Sequence, residues 1–203
     1  MSKIKAAIIG TGFMGTAHLE ALKRIGNVDV IAIASDDKKR AEEMAYQFDI
    51  DMVYGNWSNV VNDKQVQVIH NCTPNYLHYP INKAVIEKGK HIISEKPLTV
   101  NSSQSEELVG LAQKRGIVHA INFNYRFYPL IQQAKSLMDE GALGEIYLIH
   151  GHYLQDWLYY DTDYNWRLET EISGNSRAMA DIGSHWCDLV QFITGLKIKR
   201  ICA

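Results

Sequence analysis

The chain is expected to fold as an α/β protein built on a doubly wound parallel sheet, followed by a second, sheet-containing domain. Three observations predict this. Short apolar runs alternate with helical-period stretches from residue 1 to residue 122; the turn Gly10-Thr11-Gly12-Phe13-Met14-Gly15 joins the first run to the first helix; and aromatic residues become dense after Asn122. Strands alternating with helices at short intervals require right-handed crossovers, and those give a parallel sheet.

Each element has a local reason. Ile4 to Ile9 is a run of Ile and Ala suited to a strand buried on both faces. Met14, Ala17, His18, Ala21, Leu22 and Ile25 recur at helical spacing, and Gly26-Asn27 supplies the stop. Val28 to Ala34 reads as the second strand, Lys38 to Phe48 as the second helix and Val66 to Asn71 as the third strand. A helix from Leu77 to Lys88 closes on Gly89, and strand His91 to Ser94 follows. Asn101 or Ser102 caps a helix reaching Lys114, and Val118 to Asn122 is one more strand. The first domain therefore spans 1–122 and the second 123–203. The second opens with a helix from Leu130 to Glu140 and a strand from Glu145 to Leu154, and another strand begins at Lys197 to Ile201.

Composition narrows the function classes. The 203 residues are 46% hydrophobic and 22% charged with a formal charge of −2, the profile of an ordinary globular protein. Nothing in it resembles a nucleic-acid arm or a membrane patch, and the N-terminal run is too short and strand-like for a signal peptide. No nucleic-acid or membrane partner is expected. Cys72, Cys187 and Cys202 are odd in number and form no CxxC pair, which fits reduced thiols in a cytoplasmic protein.

A GxGxxG turn alone is a weak signal. Here it follows a buried strand, opens an amphipathic helix, and has an acidic residue about twenty positions beyond its last glycine. Gly10 permits the turn, Gly12 lets the backbone approach a pyrophosphate, Gly15 allows close helix packing, and Thr11, Phe13 and Met14 complete the cradle. The helix N-terminus offers free N–H groups to the anion. Ser35-Asp36 ends the second strand. A carboxylate there accepts hydrogen bonds from ribose hydroxyls and repels a 2′-phosphate, which favours NAD, while Lys38, Lys39 and Arg40 keep NADP open.

Ligands of an open parallel sheet bind beyond the carboxyl ends of its strands. Thr73-Pro74-Asn75 and Glu95-Lys96-Pro97 both fall there. Lys96 can stabilise oxyanion charge, and the bond before Pro97 is one that can be cis. Asp181, His185 and Asp188 lie four and three apart, offsets that share a helical face. Histidine suits proton transfer near neutral pH, and a neighbouring carboxylate can hold its ring. No further Cys or His is placed to complete a zinc site, so no metal is expected.

Taken together these residues resemble the Gfo/Idh/MocA family of oxidoreductases. The resemblance rests on the glycine loop with His18 after it, Cys72-Thr73-Pro74-Asn75 with His78, Glu95-Lys96-Pro97-Leu98, Asn124-Tyr125-Arg126-Phe127, and Asp181-Ile182-Gly183-Ser184-His185 with Asp188. It implies a Rossmann domain followed by an α+β domain whose large, mostly antiparallel sheet forms the substrate pocket and often the oligomer interface. It implies catalytic roles for Lys96, His185 and Asp181, cofactor contacts for Asn75, His78, Glu95 and Lys96 (the last at the nicotinamide), and a place for Arg126 near the pocket mouth. It implies a packing role for His18. Relatives of this kind usually continue well beyond the equivalent of Ala203, so the resemblance marks the chain as C-terminally truncated with its second sheet incomplete. The expected reaction moves hydride between nicotinamide and a secondary alcohol of a polyol, inositol or sugar-like substrate, with Trp157, Trp166, Tyr159 and Tyr160 available as a sugar platform. A dinucleotide-responsive regulator without turnover, or an NAD-dependent glycosidase, are the alternatives.

Overall fold

A computed structural model describes residues 3–202. Six parallel strands, β1 (Ile4–Ile9), β2 (Val28–Ala34), β3 (Met52–Tyr54), β4 (Val68–Asn71), β5 (His91–Ser94) and β6 (His119–Ile121), lie in the order β3-β2-β1-β4-β5-β6. The order reverses at β1, and the crevice at that switch point lies between the carboxyl ends of β1 and β4.

The sheet is buried on both faces because its strands are apolar at consecutive positions. Ala7 and Ile9 of β1 face a core with Ala32, Ile69 and Ile92, closed by Val60 of α3 (Trp57–Asn62), Ile81 and Val85 of α4 (Asn75–Glu87), and Leu108 of α5 (Ser102–Arg115). Ala6 and Ile8 face the opposite core, with Leu19 and Leu22 of α1 (Phe13–Ile25) and Ala41 and Met44 of α2 (Lys38–Phe48). This is the period-two geometry of a strand applied to both faces. Each fully buried Ile or Leu here stabilises the fold by about 1.5–3 kcal/mol over an exposed one. Capping fixes the helix starts: the Asp37 side chain accepts from Arg40 N, Asn56 from Ser58 N, and Asn101 from Gln104 N. Gly116, at φ 62°, ends α5 in the left-handed conformation.

Within residues 1–122 two elements exceed the sequence reading, β3 and α3. Two others correct it. Residues 145–154 and 197–201 form no strand, and no strand occurs after β6 among the described residues. A strand needs a ladder partner for its N–H and C=O groups, and neither segment meets one among the described residues. Tyr147, Leu148 and Leu154 stand exposed. After β6 the chain makes a 3-10 turn at Asn124–Phe127, then α6 (Pro129–Asp139), a second 3-10 turn at Trp166–Leu168, α7 (Thr170–Ser173), a π-helical turn at Met179–Gly183, and α8 (Ser184–Thr194). Helix α6 packs on α8, and α7 on α4. Among the described residues no helix is long and apolar enough to cross a membrane.

Candidate functional site

A cleft of about 1240 Å³ runs past the carboxyl ends of the strands. It is lined by Gly10 to Met14, Ser35, Asp36, Thr73 to Asn75, Glu95, Lys96, Trp157, Trp166, Asp181 and His185. Most of the residues singled out from sequence therefore share one space.

The glycine loop separates two kinds of constraint. A Cβ on Gly10, whose φ is +102°, would lie 2.6 Å from the Cys72 carbonyl oxygen, and one on Gly15 would lie 2.0 Å from the Gly10 carbonyl oxygen. Both must be glycine for internal reasons. Gly12 is different, because nothing in the protein lies within 4 Å of the position its Cβ would take. That open space faces the cleft at the start of α1, whose N-cap has no side-chain hydrogen bond. Helix-start N–H groups beside this open space suit a pyrophosphate. At the end of β2, Asp36 is exposed in the cleft and Thr11 Oγ1 lies 3.0 Å from Ser35 Oγ. Arg40 also lines this end.

Lys96 sits at the other end, just after β5, and its bond to Pro97 is cis. Its Nζ donates to the Asp181 carboxylate and to the Asp181 backbone oxygen, both at 2.9 Å. An ammonium has three N–H bonds, and the third has no partner among the described residues. Asp181 is held in turn by Arg167, whose Nε lies 3.3 Å from the same carboxylate oxygen and whose guanidinium covers the Trp166 ring. Both members of the Lys96–Asp181 pair are nearly buried, at 13% and 11% side-chain exposure.

The expected carboxylate support for His185 is not what holds it. Its ring is buried, stacked on Tyr125 at 4.1 Å between centroids and 17° between planes, with Phe123 edge-on at 5.7 Å. Its Nδ1 is buried without a hydrogen-bond partner among the described residues. Burial lowers its pKa, and the Lys96 charge lowers it further against the pull of Glu95, Asp181 and Asp188. The ring is thus kept neutral. Asp181 lies in the π-helical turn before α8 and shares the cleft with His185, while Asp188, within α8, is outside it.

Asp188 accepts from Arg126 through the Nε–Nη2 edge of the guanidinium, with Nε to Oδ2 at 2.7 Å. Arg126 also covers the Phe192 ring of α8, and it does not line the cleft. His78 is likewise outside it. Its ring is buried in α4 with one nitrogen on the Pro97 carbonyl and the other 2.8 Å from the Thr73 carbonyl, so it braces the two strand-end loops. Asn75 lines the cleft while donating to the Ser173 carbonyl at 2.9 Å, which ties α4 to α7. Tyr159 and Tyr160 pack edge-to-face on each other outside the cleft. His18 is more than packing: it joins a buried polar chain with His70 and Glu95.

Several lining residues escaped the sequence reading: Gln155, Asn165, Arg167 and Arg177. Gln155, Asn165 and Arg167 lie within two residues of Trp157 or Trp166, and that closeness is the signal in the sequence. Tyr125 was noted only as part of a motif.

Comparison with known proteins agrees with this fold. Residues 4–123 match the model of an oxidoreductase family with an NAD-binding Rossmann fold, and residues 131–203 match the GFO/IDH/MocA C-terminal domain. Levoglucosan dehydrogenase of Pseudarthrobacter phenanthrenivorans is 35% identical over 96% of this chain and 52% of its own length. Trans-1,2-dihydrobenzene-1,2-diol dehydrogenase of Xenopus tropicalis is 29% identical over 94% of this chain and 56% of its own. Levoglucosan dehydrogenase in complex with NADH and L-sorbose superposes with a TM-score of 0.91 at 33% identity, covering 96% of this chain and 54% of that one. The chain spans about half the length of the curated relatives it matches. With the motifs, the parallel sheet order and the cleft in agreement, the chain belongs to the Gfo/Idh/MocA family of oxidoreductases and carries its NAD-binding Rossmann domain.

Proposed function

We propose that the protein oxidises a secondary alcohol of a sugar, anhydrosugar, inositol or other polyol, reversibly and with NAD. The observation that carries this reading is the convergence of Lys96, Asp181 and His185 on the cleft that also contains the glycine loop. The cradle left open at Gly12, the ribose-facing carboxylate of Asp36 and the cleft-lining Thr73, Pro74, Asn75 and Glu95 fit the dinucleotide. Bound NAD supplies the hydride acceptor. His185, neutral by burial, takes the hydroxyl proton as the alcohol is oxidised. Lys96 donates its remaining N–H to the same oxygen and stabilises the charge growing there, while Asp181 keeps the ammonium in place. Trp157 and Trp166 offer apolar faces to a sugar ring, and Gln155 and Asn165 offer amides to its hydroxyls.

In this account the Rossmann domain ends at residue 122 and residues 123–203 open the substrate domain. The largely exposed stretch 145–154 would then enter a mostly antiparallel sheet that also serves self-association. The free thiols Cys72, Cys187 and Cys202 support a cytoplasmic setting. The test is to mix protein, NAD and a panel of anhydrosugars, inositols and polyols and to follow reduced-nicotinamide absorbance. Reduction with at least one member is expected. Nucleotide binding with no reduction across the panel would remove the dehydrogenase reading.

A further inference from the structure

Beneath the cleft lies a buried polar chain that the proposed chemistry does not use. His18, on α1, places its Nδ1 2.9 Å from Nδ1 of His70 on β4 and its Nε2 3.0 Å from Glu95 Oε1. Asn122, just after β6, donates to the same Glu95 oxygen at 2.6 Å, and the Lys96 backbone N–H reaches Oε2 at 3.3 Å. His18, His70 and Glu95 are 8%, 6% and 6% exposed. Groups from α1 and from just after β6 thus meet on one carboxylate that lines the cleft, with His70 of β4 behind His18.

The proton arrangement follows from donor counting. The Asn122 amide nitrogen also lies 3.0 Å from His18 Nε2, but its shorter bond is to the Glu95 oxygen; a carboxylate only accepts, so the contact between His18 Nε2 and Glu95 requires a proton on Nε2. Between the two Nδ1 atoms there is room for one proton. Burial, with His18 beside it, lowers the His70 pKa to about 3, which makes His70 the neutral partner. Whether the shared proton sits on His70 or on His18, Nε2 of His18 still donates. Burial works to raise the Glu95 pKa, and the hydrogen bonds from His18 and Asn122 outweigh it, leaving the pKa lowered.

We propose that His18, backed by His70, is a positioning residue that holds Glu95 ionised at the nicotinamide end of the cleft, so that the protein discriminates between the oxidised and reduced cofactor. This rests on the NAD reading above. Glu95 adjoins Lys96 at the end of β5, on the β4–β5 side of the sheet switch point, whereas Asp36 marks the opposite, β2 side. The nicotinamide ring is a cation before it accepts hydride and neutral afterwards. A fixed carboxylate nearby therefore favours the oxidised form. The other titratable groups within electrostatic reach of Glu95 are the Cys72 thiol after β4, His78 of α4 and His185 of α8, with the Lys96 ammonium acting on both histidines.

The test compares dissociation constants for NAD and NADH, by calorimetry over the neutral pH range, in wild type, His18→Leu and His18→Gln. Leucine removes the donor, so Glu95 gains a proton more readily. About tenfold weaker binding of NAD at neutral pH is expected, with NADH changed by less than about twofold, and the loss should shrink as pH rises. Glutamine keeps an N–H for Glu95 and should hold the NAD-to-NADH ratio within about twofold of wild type. Equal weakening of both nucleotides in His18→Leu, or no change in either, would overturn the proposal. Should His18→Leu not fold, nitrogen NMR of wild-type imidazoles decides: a His18 Nε2 without a proton at neutral pH refutes the arrangement. Wild type that binds neither nucleotide would instead sink the NAD reading itself.

Discussion

Replacing Gly12 and Gly15 separately by alanine tests whether the loop is shaped for a ligand or only for itself. Gly15 has no room: its added methyl would sit 2.0 Å from the Gly10 carbonyl oxygen, so backbone must move. Overpacking of this kind costs about 1–3 kcal/mol or more. In a chain of this size that lowers Tm by about 2–4 °C for each kcal/mol. Gly12, at φ −71° and ψ −174°, has a backbone any residue adopts and no protein atom within 4 Å of the new methyl. Gly12→Ala should leave stability unchanged or raise it by about 0.4–1 kcal/mol, because alanine reduces unfolded-chain entropy. The same methyl projects into the cleft where the pyrophosphate must approach the backbone, so NADH affinity should fall by at least about tenfold, the loss of roughly one good hydrogen bond to an anion. The assay is thermal unfolding together with fluorescence titration of NADH. A Gly12→Ala protein that unfolds early, or that binds NADH as well as wild type, would refute the assignment of the loop.

Two further outcomes follow from the site. Oxidation needs a neutral His185, and burial with Lys96 nearby lowers its pKa from the ordinary 6.5, so the acid limb of kcat/KM for alcohol oxidation should have its midpoint below 6.5; a midpoint above that value would contradict the environment described. Arg126→Met leaves Asp188 buried and unpaired, and since Arg126 is itself 40% exposed at its side chain the loss should be about 1–3 kcal/mol, less than for a fully buried pair. Urea unfolding checks this, and an unchanged midpoint would mean that the pair contributes nothing to the fold.

Much of the Rossmann half was legible because its signals are local. The run Ile4 to Ile9, the helical period from Met14 to Ile25 and the cap at Asn101 each decide an element without reference to the rest of the chain. Strand β3 has three residues and α3 six, too short for either period to show. Residues 145–154 failed in the opposite direction, since an apolar pattern makes a strand possible but only a pairing partner makes one. The site divides in the same way. Lys96 and Asn75 were found because strand ends are where such a sheet binds ligands. His78 and Arg126 were assigned to the ligand when His78 turns inward to two carbonyls and Arg126 to Asp188, a choice set by partners that sequence does not display. The His18–His70 contact joins residues 52 positions apart and depends on α1 lying across β4.

Lys96→Ala probes the central claim most directly, with turnover and nucleotide binding measured on the same preparation. The account predicts that NADH still binds, because the cradle and Asp36 are untouched, while oxidation of any substrate of the wild-type protein falls by at least about a hundredfold, the scale for losing one oxyanion donor. Undiminished turnover in that variant, or a loss explained wholly by failure to bind NADH, would contradict it.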